Sequence, residues 1–369
     1  MKPLVTLFAW SVALSTALAF SAEFYVQPTG DDANPGTKAR PFATLTRARD
    51  AVRAAKSKGP VTVWVREGVY RLREPLVFGP ADSGTEDGPI TYSAYPGEKP
   101  VISGGEVITG WKRSGDGLWT VEIPAVKQGK WNFRQLFVNG QRRPRARLPE
   151  QGKYTVIEPP DSPKWSFQFQ PGQIDPEWRN LDDVEVVLLQ HWCDARLRIE
   201  SIDTQKNVVR FTGMTWRPTT WSAGWFVENV YEGLTQPGQW YLDRKSGVLH
   251  YRPLPGEKMA EVDVVAPVAR QWIRLEGDYK KGDLVQHIHF RGFKFHHTSW
   301  SLDKKLGYSY GQAAVETTPG MLLWNGFPPG GKTTPQSMIE VPAAIWAQGA
   351  HHLGVEGGGV DNAARVVAL

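Results

Sequence analysis

The chain has almost no cysteine. Cys193 is the one thiol in 369 residues, so no internal disulfide forms and packing alone must supply stability. Cys193 reads as a small buried apolar residue rather than a nucleophile, because no histidine or asparagine context singles it out. Blocks of like charge are missing too. The 43 Lys and Arg and the 38 Asp and Glu are interspersed, which leaves no basic stripe of the kind that binds nucleic acid. Past the leader, no apolar run is long enough to span a bilayer. No acidic cluster at metal-ligand spacing stands out, and no cofactor is called for.

The leader itself, MKPLVTLFAWSVALSTALAFSA, has a charged start at Lys2, an apolar run from Leu4 to Ala19, and small residues at Ser21 and Ala22. This is the pattern of a secretory signal peptide cleaved after Ala22, which predicts a secreted or periplasmic protein with no membrane attachment after cleavage. An anchoring helix is the weaker reading, since the run is short and no positive stop-transfer flank follows.

What the sequence has in quantity is glycine (37), proline (28) and tryptophan (16). Gly and Pro in such numbers imply many turns and short strands. Excess Trp suggests a use beyond core filling, because indoles are bulky and carry a polar N–H; flat apolar faces of this kind pack on the C–H faces of pyranose rings. The stretch GDDANPG at 30–36 is a turn cluster. Its Asp and Asn side chains are read as caps on turn amides, with a calcium loop as the alternative. A helix is predicted over 45–57, with Thr44 as N-cap, Leu45, Ala48, Val52 and Ala55 as an apolar stripe, and Arg47, Arg49, Arg53, Lys56 and Lys58 facing water.

Short strands follow at 61–65, 70–78, 90–95 and 101–105. No gap between them has room for a crossover helix. The spacing fits a coil of parallel strands, with the helix covering its open end. From about 131 the character becomes antiparallel. FVNGQ reads as a hairpin turning at Asn139-Gly140, 184–192 as a strand, 197–213 as a strand pair, and 239–256 as a hairpin around Lys245-Ser246-Gly247. Coil-like segments return at 284–300 and 343–357, and the Gly/Pro-rich 303–341 between them reads as a long loop. The organisation expected is a signal peptide (1–22), cap and first rungs (23–128), a β-rich insertion (129–266) and returning rungs (267–369).

YVQPTGDDANPGTKARPFATLTRARDAV resembles the opening of exported right-handed parallel β-helix proteins, among them glycoside hydrolase families 120 and 141. FVNGQRRPRARLP, DDVEVVLLQHWCDARLRI, FVENVYEGLTQPGQWYLDRKSGVLHYRPLPGE and IHFRGFKFHHTSWSL are similar to the sandwich-like insertion and returning coil of family 141. The resemblance implies an all-β fold: a right-handed parallel β-helix with an N-terminal capping helix and an inserted antiparallel domain. It also implies action on plant or algal polysaccharide or oligosaccharide, by acid/base hydrolysis between paired carboxylates. In those families the catalytic acids lie on rungs further along than this chain reaches. The expectation is therefore an end made by truncation or frameshift and an inactive fragment. The alternative is a closing helix with Asp361 as N-cap and Val366, Val367 and Leu369 as apolar contacts. Two rivals remain: a non-catalytic carbohydrate-binding or surface protein, and a polysaccharide lyase on the same coil.

Several residues are candidates for sugar contact. In QHWCDARLRI, Trp192 offers an indole platform beside His191, with Asp194 and Arg196 for hydroxyls. The alternative is an insertion core in which Asp194 merely pairs an arginine, and the same weighing applies to Glu228 and Asn229. Trp300 is a further candidate for a sugar platform, with core or loop packing as the alternative. Gln312 is a binding candidate near the returning rungs, and Glu340 is the carboxylate of that segment to test first for catalysis. Asp243 reads as a turn residue. His296 and His297 point to opposite faces of a regular strand, one lateral and one internal, which argues against a zinc site.

Overall fold

The computed structural model describes residues 21–55, 59–157, 162–190, 193–215, 218–299, 308–309, 343–361 and 367–368. The fold is all-β in character, with three longer parallel sheets, and a short parallel pair of Val285–Gln286 with Ala350–His351, that share successive passes of the chain. The first sheet runs Ala22–Val26, Val61–Val65, Ile90–Ala94, Ile288–Arg291, Gly354–Glu356; the second Val69–Arg71, Val101–Ser103, Lys294–His296, Gly359–Asp361; the third Leu76–Phe78, Ile273–Glu276, Ile345–Gln348, Val367–Ala368. Each pass adds one strand per sheet, so equivalent positions stack. Tyr92 and Phe290 are register partners and their rings stack at 5.4 Å; Phe78 meets both edge-on at 5.3 and 5.4 Å. Alternation along Val61–Val65 buries Val61, Val63 and Val65 in this interior, as the period of two requires.

Two expected strands divide. The segment 70–78 bends between Val69–Arg71 and Leu76–Phe78, which lie in different sheets; Pro75 cannot donate to a ladder, and the chain turns a corner there. The segment 101–105 breaks at Gly104, with Val101–Ser103 in the coil and Gly105–Val107 in an antiparallel sheet of the insertion.

The helix Leu45–Ala55 buries Leu45, Ala48, Ala51 and Val52 against the coil interior. Thr44 caps it, its Oγ1 accepting from the Arg47 amide at 3.1 Å. The turn cluster before it acts as a set of amide caps: Asp32 Oδ1 accepts from the Ala43 and Thr44 amides at 2.9 Å, and Asp31 Oδ1 from Ala33. The helix arginines do not simply face water. Arg49 donates to the Val77 carbonyl at 2.6 Å, Arg53 grips the buried Asp82, and Arg47 lies over the Phe42 ring. A guanidinium on a long stem reaches carbonyls and carboxylates that a helical wheel does not display. Lys56 and Lys58 lie outside the described residues, as does the leader through residue 20. Ala22, the expected cleavage position, begins the first coil strand.

The insertion is spliced into one turn of the coil, after Ser103 and before Ile273. Its strands form two cores. One lies between the sheet Gln141–Arg143, Leu136–Val138, Val264–Pro267, Gly105–Val107 and the sheet Trp240–Asp243, Val248–Tyr251, Trp119–Glu122, Lys112–Arg113. Strands from 105–122 thus pair inside the insertion, which moves its edge back from 129 to about 105. The second core surrounds Trp225, Phe167, Leu197 and Phe211, in the sheet Arg147–Leu148, Ser222–Glu228, Glu185–Gln190, Cys193–Asp203, Val208–Phe211, Ser166–Gln168. Both expected hairpins form. Asn139 and Gly140 take positive φ between Leu136–Val138 and Gln141–Arg143, and Asp243 Oδ1 caps the second turn by accepting from the Lys245 and Ser246 amides.

The chain leaves the coil and rejoins it at one point. The Gly104 carbonyl accepts from the amides of Val268 and Ala269 at 2.8 and 2.9 Å. His297 sits here in a left-handed conformation, not in a regular strand. It is the internal histidine, while His296 pairs with Asp361 at 3.2 Å. Asp361 is therefore a strand residue and not a helix N-cap, and Val367–Ala368 continues the third sheet. Of the expected loop 303–341 the described part is Tyr308–Ser309, a strand on the insertion sheet beside Ala195 and Arg196.

Candidate functional site

Three of the tryptophans serve as knots between segments of the fold. Trp225, Trp240 and Trp272 are fully buried, and their indole N–H groups donate to the carbonyls of Thr155, Arg143 and His296. The more unusual feature is a concentration of arginine. In PRARL, Ala146 is wholly buried, and the period of two turns Arg145 and Arg147 to the opposite side. Arg147, Glu228, Glu185 and Arg198 then fall side by side across four neighbouring strands. Two carboxylates in adjacent register positions repel, so this row needs positive charge close to it.

Three arginines supply that charge to Glu185. Arg134 lies 2.7 Å and Arg145 2.9 Å from its Oε2, and Arg198 approaches Oε1 at 4.0 Å. Burial raises the pKa of Glu185, but these three charges outweigh it and hold the carboxyl well below the usual carboxylate range. Glu228 behaves alike. Its burial is offset by Arg196 at 2.5 Å and Arg145 at 3.6 Å, and its pKa is lowered. Arg198 is also bonded to Asp183 at 2.8 Å.

In front of this row opens a cavity of about 510 Å³, a size typical of small-molecule sites. Arg134, Arg142, Arg143, Arg145, Arg147 and Arg196 line it, against the single carboxylate Glu228. Arg143 is neutralised from behind by Glu257 at 2.6 Å. Among the described residues no three His, Cys, Asp or Glu side chains gather so as to hold a metal ion.

The residues picked out from the sequence separate into two groups. Asp194 and Arg196 pair with each other at 3.1 Å, and Arg196 carries on to Glu228. The carboxylate–arginine pairing and the cavity wall are thus one arrangement. Asn229 turns away, donating to the Asp183 carbonyl from a buried position. Trp192, Trp300, Gln312 and Glu340 lie outside the described residues, as does His191, and of Cys193 only its strand position is described. Arg134, Gln135, Arg142, Arg145 and Arg147 were not singled out by sequence. The signal for the last three was the run Arg142-Arg143-Pro144-Arg145-Ala146-Arg147, with Arg143, Arg145 and Arg147 on alternate positions; Arg134 and Gln135 lie outside it.

Two antiparallel cores spliced into a parallel coil, joined by an arginine row, are the features to compare with known proteins. Residues 116–219 match the family model of the GH141 insertion domain. The GH141 insertion match covers strands of both cores. A solved chain described as a glycoside hydrolase superposes on 92% of this chain with a TM-score of 0.77 and 27% identity. The present chain spans 63% of that hydrolase's length. The uncharacterized protein YwoF of Bacillus subtilis (strain 168) is 43% identical over 83 residues, which are 22% of this chain and 16% of YwoF. The chain is glycoside hydrolase-like and carries the GH141-type insertion in its coil.

Proposed function

We propose that this chain is an exported glycoside hydrolase-type protein directed at plant or algal polysaccharide or oligosaccharide, and that the arginine cavity binds part of the glycan. The observation that carries the reading is the similarity to a glycoside hydrolase over 92% of the chain. Export rests on the charged and apolar leader.

Hydrolysis between paired carboxylates needs one group that holds a proton near neutral pH. Glu185 and Glu228 are neighbours, but arginines keep both ionised. Their role in this reading is to organise the cavity, and proton donation belongs to other carboxyl groups of the protein. The same ionised pair favours one second reading, a carbohydrate-binding protein without turnover.

The test is incubation of the purified protein with xylan, pectic and fucosylated glycans. New reducing ends without ultraviolet absorbance support hydrolysis, and an unsaturated absorbing product means lyase action instead. Binding without any product selects the non-catalytic reading, and neither binding nor product on any glycan overturns both.

A further inference from the structure

The arginine cavity has more positive charge than its own carboxylates require. Glu185, Glu228, Asp194 and Glu257 engage Arg134, Arg145, Arg196 and Arg143. Arg142 is exposed and has no carboxylate within ion-pair distance among the described residues. Arg147 is held by neutral carbonyls, those of Pro149 and Gly152, with its guanidinium over the Phe226 ring at 4.0 Å. Two full positive charges are thereby left at the wall of one cavity.

Two lining residues also carry polar atoms without partners. Arg145, its side chain only 9% exposed, makes its ion pairs through Nη1 and leaves Nε with none. The Gln135 carbonyl oxygen Oε1 is buried and unpaired as well. A buried polar atom left unmatched is costly, so the wall holds polar groups that its own side chains do not fully satisfy. The two guanidinium groups without a carboxylate partner suit a molecule with a single anionic group.

We propose that the cavity is a subsite for an anionic sugar residue, bearing a carboxylate or a sulfate ester. Arg142 and Arg147 take the anion, at a wall shared with Arg134, Arg145 and Arg196. Guanidinium suits both anions because its planar fork donates two parallel hydrogen bonds. This inference rests on the carbohydrate reading and narrows it to charged units.

The test is calorimetric titration of the full chain with three probes: tri-galacturonate, its carboxyl-reduced neutral counterpart, and a sulfated galactan trisaccharide. At least one acidic probe is expected to bind ten- to a hundredfold more tightly than the neutral one, with affinity falling as salt rises. Preference between the two acidic probes identifies the anion. Arg142→Gln, at an exposed side chain, is expected to lower acidic-probe affinity about tenfold, with a smaller change for the neutral probe and no change in melting temperature. Equal binding of acidic and neutral probes, or acidic binding insensitive to Arg142→Gln, overturns the inference and leaves the glycan reading standing. Failure of all three probes also overturns it; whether the broader reading falls too is decided separately, by product release from whole glycans.

Discussion

Ser103 Oγ lies 3.0 Å from Nδ1 of His297, joining two residues 194 positions apart where the coil gives way to the insertion. Ser103 Oγ also accepts from the Gly105 amide, and the imidazole packs on Phe137 of the insertion at 4.7 Å. The hydrogen bond from the Gly105 amide and the Phe137 ring contact thus tie this coil pair to the insertion. Burial lowers the His297 pKa to about 4, helped by the neighbouring His296 and Arg71.

That shift makes stability depend on pH. His297 is neutral in the fold, and the unfolded chain takes up a proton near pH 6.5. Stability is complete above about pH 6.5 and is lost as pH falls towards 4, by at most about 3 kcal/mol. His250 and His289 are lowered in the same direction by burial and add to the slope. The comparison is therefore between wild type and His297→Asn, which keeps a side chain tolerant of the left-handed backbone. Urea unfolding from pH 7 to pH 4.5 should show a shallower loss in the variant; equal slopes would remove His297 from the account.

Glu185 titrates in a lower window. Its folded pKa is depressed, so its contribution is present above about pH 4.3 and is lost as pH falls below that. Glu185→Gln leaves Arg134, Arg145 and Arg198 facing a neutral group in a buried site. A loss of about 3–5 kcal/mol at pH 7 is expected, measured by chemical denaturation. A loss under 1 kcal/mol would mean that the arginines find other partners.

Gly104 has room for nothing larger. A Cβ there would meet the His297 carbonyl oxygen at 2.4 Å and the Ala269 Cβ at 3.0 Å. Gly104→Ala should cost roughly 1–3 kcal/mol, the usual cost of overpacking. Gly79→Ala is the control, since no atom lies within 4 Å of its Cβ and its φ is −107°. Equal melting temperatures for the two variants would show that the joint yields.

The end helix is clamped by Asp82, 2% exposed, which accepts from Arg53 at 2.5 and 2.8 Å and from the Gly79 amide at 2.8 Å. Arg53→Ala strands a buried carboxylate. Because Arg53 is 39% exposed, the cost is discounted to about 1–2 kcal/mol. Hydrogen exchange should quicken in 45–55 before it does in Val61–Val65. Unchanged exchange in the helix would argue that its apolar face alone holds it.

Local chemistry determined much of this protein. Alternation in VTVWV, the Asn139-Gly140 turn, the Thr44 cap and the Lys245-Ser246-Gly247 hairpin depend on neighbours a few residues apart, and each formed as its residues required. Tertiary structure alone decided that Trp119–Glu122 pairs with Val248–Tyr251, and so where the insertion begins. It alone gathered Arg134, Arg145, Arg196, Glu185 and Glu228 around one cavity. Glu185, Arg196 and Glu228 come from three separate strands and Arg134 and Arg145 from connecting segments, and their distances follow from cross-strand register and packing, which no short stretch of chain records. The helix arginines make the same point, since the carboxylate that Arg53 grips lies 29 residues away, beyond the reach of any helical pattern.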